Sequence, residues 1–332
     1  MGRMSLDQLT QPDPGPVQRA VLAVMAGLPI PDTAQQNRMD PSVLSDAVAV
    51  YNHAGREALS RNAAETDWWQ VYLHFTDWTN ADAVFLAHVL PVLLEAETAR
   101  TIDGWWYTRK HPCWRLRLHG LSGPEAELSL GDSFDRLVAF GQLHRWLPGI
   151  YEPETAAFGG EASMTAAHAL FVTDSRQAQR LRDRNDLPVG PRELSVLLCT
   201  IMMRAAGLEW YEQGDVWHRV ITDEHRSAIG DVPRERLDAR AGEIRPLLLA
   251  DEGALLRPGG LLEPVAEWAT AFRNTGQALR HAVWEGTLDR GLRQVLSYHV
   301  IFHWNRLGLS MRSQSVLAWA ARSAVLHRKR EA

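Results

Sequence analysis

Cysteine and lysine are nearly missing from this chain. Its 332 residues include two cysteines, Cys113 and Cys199, which excludes a disulfide framework and a cysteine-based zinc site. Lysine occurs only at Lys110 and Lys329, so 33 of the 35 basic residues are arginine. Schiff-base catalysis would have to use one of those two lysines. Neither charge sign dominates: 35 basic and 40 acidic residues leave a net −5, so no global basic field points to nucleic acid. The longest apolar run, Ala83 to Leu94, is interrupted by His88 and Pro91 and is too short to cross a bilayer. No basic-then-apolar segment opens the chain. Walker loops, a GxGxxG after a strand, a GxSxG elbow and an EF-hand loop do not occur, which disfavours nucleotide use and serine hydrolase chemistry. The expectation is a cytoplasmic protein without a metal or other cofactor, binding neither nucleic acid nor membrane.

What is present describes a globular protein, 45% hydrophobic and 23% charged. Thirteen tryptophans stand out, four of them in the pairs Trp68-Trp69 and Trp105-Trp106, and aromatic residues beside polar ones suit a groove for a peptide. A turn-rich opening over residues 1–16 is expected to be loose. Helices are expected over Val17 to Met25, and from Pro41, capped by Asp40, to about Ser60. Trp69, Val71, Leu73 and Phe75 then alternate with polar neighbours, a strand pattern. An amphipathic helix from Asn80 to Glu97, strands at 104–109 and 114–119, a short helix from Asp132 to Phe140 and a strand from His144 to Glu152 follow. From Gly160 onward the pattern is helical: 162–174, 191–206, 210–222, 234–249, 261–283, 288–305 and 314–327. The reading is a single α+β unit over 1–332: an antiparallel sheet with helices at about 65–160, then a mostly helical half at about 161–330.

Three segments carry candidate chemistry. On the strand Trp114 to His119, Trp114, Leu116 and Leu118 share the core face, leaving Arg115, Arg117 and His119 on the other. Two arginines fixed on a strand suit a carboxylate or an anionic oxygen; a solvated ion-paired face fits the pattern equally well. In Tyr151-Glu-Pro-Glu-Thr-Ala-Ala-Phe-Gly-Gly160, the double glycine permits a tight turn before a helix N-terminus, and Glu154 can serve as a base or orient an arginine. Late in the chain, His299, His303 and Arg306 share one helical face, while Tyr298, Phe302 and Asn305 share the adjacent one. A zincin pair would need a glutamate after the first histidine, where Val300 stands.

Together, Trp69-Gln-Val-Tyr-Leu-His-Phe75, Gly104-Trp-Trp-Tyr-Thr-Arg-Lys-His-Pro-Cys-Trp-Arg-Leu-Arg-Leu-His-Gly120, the Tyr151–Gly160 segment and His303-Trp-Asn-Arg306 resemble the thiopeptide-type bacteriocin biosynthesis domain. That domain is the glutamate-elimination part of lantibiotic dehydratases and also occurs as stand-alone proteins. The resemblance covers roughly residues 65 to 310 and implies the elimination-domain fold. In glutamate-eliminating relatives, two strand arginines, the glutamate and arginine of an E-x-x-R pattern and a late histidine handle the glutamyl group. Arg115, Arg117 and Glu154 match. The E-x-x-R arginine is Ala157 here, the histidine before the strand arginines is Trp114, and the late histidine position is Ile301.

These departures look more like the stand-alone pyridine synthases of thiopeptide biosynthesis. The implied reaction is a formal [4+2] aza-cycloaddition of two dehydroalanines in a modified precursor peptide, with loss of water and elimination of the leader. It asks for a groove and proton transfers. Tyr298, His299 or His303 would carry protons, and Arg115 and Arg117 would stabilise an imidate-like oxygen. Trp105, Tyr107, Tyr151, Glu154, Asn305 and Arg306 would bind the peptide, a ribosomal precursor with an azole- and dehydroalanine-bearing core. A split glutamate-elimination enzyme and a non-catalytic leader-binding protein are the alternatives.

Overall fold

A computed structural model of the chain describes residues 15–66, 68–181, 184, 186–226, 229–230 and 232–326, without the side chains of 56–66. Internal contacts divide the chain into two compact units, Met1–Thr66 and Asp67–Ala332, where the sequence alone leads to one. The loose opening expected over residues 1–16 lies outside the described residues except at Gly15 and Pro16. In the first unit, helices α1 (Pro16–Met25), α2 (Ile30–Gln36) and α3 (Pro41–Thr66) each take proline in the first turn, where the missing N–H costs nothing. Asp40 caps α3, its Oδ1 accepting from the Ser42 N–H at 2.8 Å. Ala20, Val21, Ala34 and Leu44 form this unit's own small core.

The second unit begins with a four-stranded antiparallel sheet. Strands β1 (Trp68–Phe75), β2 (Gly104–Lys110), β3 (Cys113–His119) and β4 (Leu143–Gly149) pair in the order β2-β3-β1-β4. Alternation sends Val71, Leu73, Trp105, Tyr107, Trp114, Leu116 and Leu118 to one face, where they share a core with Phe85, Val89, Leu93, Leu130 and Phe134. The covering helices are α4 (Ala81–Val84), α5 (Leu90–Thr98) and α6 (Pro124–Ala139). A π-turn over Phe85–Val89 joins α4 to α5, as expected where Pro91 has no N–H for the carbonyl one turn earlier. The stretch Trp78–Thr98, 21 residues, is long and apolar enough by length and composition to cross a membrane. It outlasts the apolar run seen in the sequence, and its Phe85, Val89, Leu93 and Ala96 are buried in the core.

Among the described residues eight helices follow, one more than the seven read from the sequence: α7 (Glu161–Arg180), α8 (Pro191–Ala205), α9 (Trp210–Thr222), α10 (Arg234–Leu249), α11 (Glu252–Leu256), α12 (Ala266–Trp284), α13 (Leu292–Arg306) and α14 (Met311–Leu326), with short α11 the addition. They surround a second core in which Trp217 stacks on Trp304 with ring centroids 6.0 Å apart. The Trp304 indole donates to Ser195 Oγ at 3.1 Å. α6 starts at Pro124, eight residues before the expected Asp132; at three other boundaries that differ from expectation, a partner explains the difference. α7 continues past Asp174 because side chains from α12 and α13 satisfy that buried carboxylate. α13 starts at Leu292 rather than Leu288, because the Asp289 N–H donates to Gly159 O at 2.9 Å. β4 stops at Gly149, where the Tyr72 ring leaves no room for a side chain: an added Cβ would lie 2.3 Å from it. Tyr151 therefore sits beyond the strand.

Candidate functional site

The second face of the sheet carries the polar residues. Across β2, β3 and β1 the register aligns Trp106, Arg117 and Gln70 in one row, and Thr108, Arg115 and Tyr72 in the next. Arg117 is 3% exposed. Its Nε donates to Gln70 Oε1 at 2.9 Å and its Nη1 to Thr108 Oγ1 at 2.8 Å. The guanidinium lies 4.2 Å from the Trp106 ring centroid and 5.2 Å from that of Tyr151. Burial lowers its pKa to about 10, opposed by Tyr151 and Glu154; it remains charged at neutral pH. Arg115 beside it is half-buried, its guanidinium 5.9 Å from the Tyr72 ring.

The loop after β4 closes over this face. Gly159 and Gly160 adopt φ of +86° and +108°, a region closed to other residues without strain, and turn the chain into α7. Behind them Phe158 is buried against Phe171, His299 and Phe302. Tyr151 is buried, its hydroxyl 2.7 Å from His168 Nε2 on α7. Burial pushes the Tyr151 phenol up, and burial together with His119 and Arg117 pushes His168 down to about 4. Glu154 is half-buried, and its Oε2 is buried with no hydrogen-bond partner. Its charge reaches Arg117, Tyr151 and Tyr298. Tyr298 is half-buried against Phe158 and Phe302; burial raises its phenol pKa, and Glu154 and Glu224 add to the rise.

The fold thus gathers Arg115, Arg117, Tyr151, Glu154 and Tyr298 on one side of the sheet. It separates the other expected residues from them. Trp105 points to the opposite face, 6.0 Å from Phe85; strand alternation gives its expected place to Trp106. Tyr107 shares that opposite face, and its hydroxyl accepts from Gln179 Nε2 at 2.6 Å and donates to Arg306 O at 3.3 Å. The two faces of α13 are those read from the sequence, but the histidine face is the buried one. His299 is 1% exposed, neither ring nitrogen has a hydrogen-bond partner among the described residues, and burial lowers its pKa to about 3. His303 Nδ1 and Trp268 Nε1 lie 2.9 and 2.8 Å from Asp174 Oδ1, and Arg306 pairs with Oδ2. Burial alone would raise the Asp174 pKa, but His303 and Arg306 more than offset it and hold the carboxyl below its usual range. Arg306 and His303 therefore anchor α13 to α7. Asn305 accepts from Gln314 Nε2 at 3.0 Å, tying α13 to α14.

Sequence reading missed Gln70, Trp106, Thr108 and His168. The first three were accessible through strand register, which needs the pairing partners; His168 had no local signal. Arg290, whose Nη1 donates to Ala157 O at 3.3 Å, and Glu224, whose carboxyl is pushed up by burial, lie within electrostatic reach of Tyr298. Among the described residues no group of three or more His, Cys, Asp or Glu converges to hold a metal. Two surface pockets, of about 420 and 560 Å³, are lined instead by ion-paired residues such as Arg293 and Arg176 and contain none of the residues above.

The sequence model of the family described as lantibiotic biosynthesis dehydratase C-term matches residues 68–325. No curated protein matches the chain. Among solved structures, the tRNA-dependent lantibiotic dehydratase MibB from Microbispora sp. 107891 superposes with a TM-score of 0.56 at 24% identity, over 78% of this chain. This chain spans only 28% of MibB. TbtD, a pyridine synthase from thiomuracin biosynthesis, gives a TM-score of 0.51 at 15% identity, covering 78% of this chain and 97% of its own. TsrL gives 0.50 at 16% identity, covering 77% and 94%. At these identities the likeness concerns the fold, and the family rests on the match over most of the sequence: the chain belongs to the lantibiotic biosynthesis dehydratase C-terminal family.

Proposed function

We propose that this protein is a cytoplasmic pyridine synthase, joining two dehydroalanines of a leader-bearing, azole-containing precursor peptide by a formal [4+2] aza-cycloaddition. Loss of water and elimination of the leader complete the ring. The observation that carries the reading is the buried Oε2 of Glu154, without a hydrogen-bond partner among the described residues, on a carboxylate whose charge reaches both the cationic Arg117 and the Tyr298 phenol. An orphaned carboxylate oxygen in such a place calls for a donor from outside the chain, and the amide N–H of a dehydroalanine supplies one. Glu154 then draws that proton from nitrogen while Tyr298 gives one to the oxygen, which sets the amide in its imidic acid form. Arg117, held rigid by Gln70 and Thr108, stabilises the oxygen on which charge builds. Glu154 then passes its proton to Tyr298, which restores both groups. Holding two distant alkenes together contributes up to about 7–11 kcal/mol, a task for the half-buried rings of Tyr72 and Tyr298.

The test is mass spectrometry of the purified protein with a leader-bearing azole peptide containing two dehydroalanines. Loss of water with release of the leader as a carboxamide is the expected result; an unchanged mass refutes the reading. A second reading, glutamate elimination from a glutamylated peptide, is favoured by one observation. Arg290 brings a guanidinium to the Ala157 carbonyl, restoring a third cation near the position where eliminating relatives carry arginine. Free glutamate released from a glutamylated Ser or Thr peptide decides for it.

A further inference from the structure

Tyr151 and His168 form a pair that the cyclisation step leaves unused. Their 2.7 Å hydrogen bond joins the loop after β4 to α7. His168 is neutral at pH 7, and with its ring proton on Nδ1 its Nε2 is free to accept the phenolic proton. The pair is walled in: the Trp68 ring lies 4.9 Å from His168 and 6.1 Å from Tyr151, and the Trp106 ring 5.6 Å from Tyr151. Arg117, Glu154 and His119 are the charged or titratable groups that act on it. Tyr298 differs, since its hydroxyl has no hydrogen-bond partner among the described residues. The site therefore holds one isolated phenol and one phenol wired to a second proton acceptor.

We propose that Tyr151 and His168 form a proton relay for the release of the leader, His168 acting through the Tyr151 hydroxyl. The inference rests on the pyridine synthase reading. In that step a ring C–H bond and the C–N bond to the leader break, a ring C=C bond forms, and an N–H bond forms on the departing amide. Tyr151 Oη takes the ring proton while passing its own to His168 Nε2, and the reverse transfer delivers a proton to the leaving nitrogen. One proton moves from carbon to nitrogen, and no oxidant or reductant is needed. The buried imidazolium is short-lived, which drives the return transfer.

Time-resolved mass spectrometry on the bis-dehydroalanine peptide separates the two steps. His168→Gln keeps a hydrogen-bond acceptor but takes up no proton. It is expected to consume the starting peptide at the wild-type rate while slowing leader release by about 10²-fold or more, so that cyclised, leader-bearing peptide accumulates. His168→Gly with imidazole added to the buffer is expected to regain release. Leader release from His168→Gln at the wild-type rate, or equal slowing of both steps, overturns the relay. Should the His168 variants fail to fold, judged by circular dichroism, Tyr151→Phe carries the same expectation and the same refutation. Wild-type protein that leaves the peptide unconsumed overturns the cyclisation reading and the relay with it. That outcome is distinct from an active wild type matched by an equally active variant.

Discussion

Asp174 on α7 takes partners from both α12 and α13, and its removal gives a sharp test of how these three helices are joined. The side chain is fully buried and receives the His303 ring at 2.9 Å, the Trp268 indole at 2.8 Å and the Arg306 guanidinium. Asp174→Ala leaves Arg306 charged in the core, where it is 1% exposed and keeps the Tyr107 carbonyl at 3.3 Å and the Phe171 and Trp106 rings at 4.6 and 5.9 Å. Breaking one side of a buried ion pair costs about 3–5 kcal/mol, and the stranded indole N–H adds about 1–3 kcal/mol. Against a total stability of about 5–15 kcal/mol, the loss is a large share. Urea denaturation followed by tryptophan fluorescence measures it, with Trp268 close to the change. The double variant Asp174→Leu with Arg306→Met removes both charges and is expected to recover most of the loss, because the penalty comes from the unpaired ion. The pH dependence has a defined sign. The folded carboxyl titrates below its unfolded value of 3.8, so its stabilisation is complete above that value and is lost as pH falls through the lower folded pKa. A loss under about 1 kcal/mol in Asp174→Ala at pH 7, or a double variant less stable than the single one, refutes the reasoning.

Three other outcomes are expected. Arg117→Lys loses the Gln70 and Thr108 bonds as well as the planar stack on Trp106, so leader-peptide turnover is expected to fall by about 10²–10³ in kcat; unchanged kcat in steady-state assays would count against a role for this guanidinium. His299 titrates near 3 in the fold against 6.5 in the unfolded chain. Its neutral form is stabilising above pH 6.5, and stability declines by about 1.4 kcal/mol per pH unit below that. His299→Leu is therefore expected to flatten the drop between pH 6.5 and 5 by about 2 kcal/mol, read from urea midpoints across pH; parallel curves for the two proteins refute it. Gly160→Ala forces a φ of +108° on a side chain whose Cβ would lie 2.8 Å from Asp289 Oδ2, at a cost of about 1–3 kcal/mol. A thermal melt unchanged from wild type would show that the turn is not under this constraint.

Local chemistry made the elements readable. Period-two alternation from Trp69 to Phe75 and from Trp114 to His119, and prolines at the starts of α1, α3 and α8, need only near neighbours in sequence. So did the pairing of Arg115 with Arg117 and the two faces of α13. Boundaries went astray where a distant group intervened: Asp174 reads as a stop until Arg306 and His303 satisfy it, and Leu288 reads as helix until Gly159 claims the Asp289 N–H.

The sequence by itself determined the α+β class, the order of the elements, the family resemblance and a set of residues able to do the chemistry. Which of those residues meet was decided by tertiary structure. Strand register put Trp106, and not Trp105, beside Arg117, because facing depends on odd and even positions relative to partner strands. Helix packing turned His299, His303 and Arg306 inward and left Tyr298 at the edge, because an amphipathic pattern with polar residues on both faces does not say which face another helix will cover. The Tyr151–His168 contact joins residues 17 positions apart across a loop and a glycine turn, a distance that only the folded chain closes.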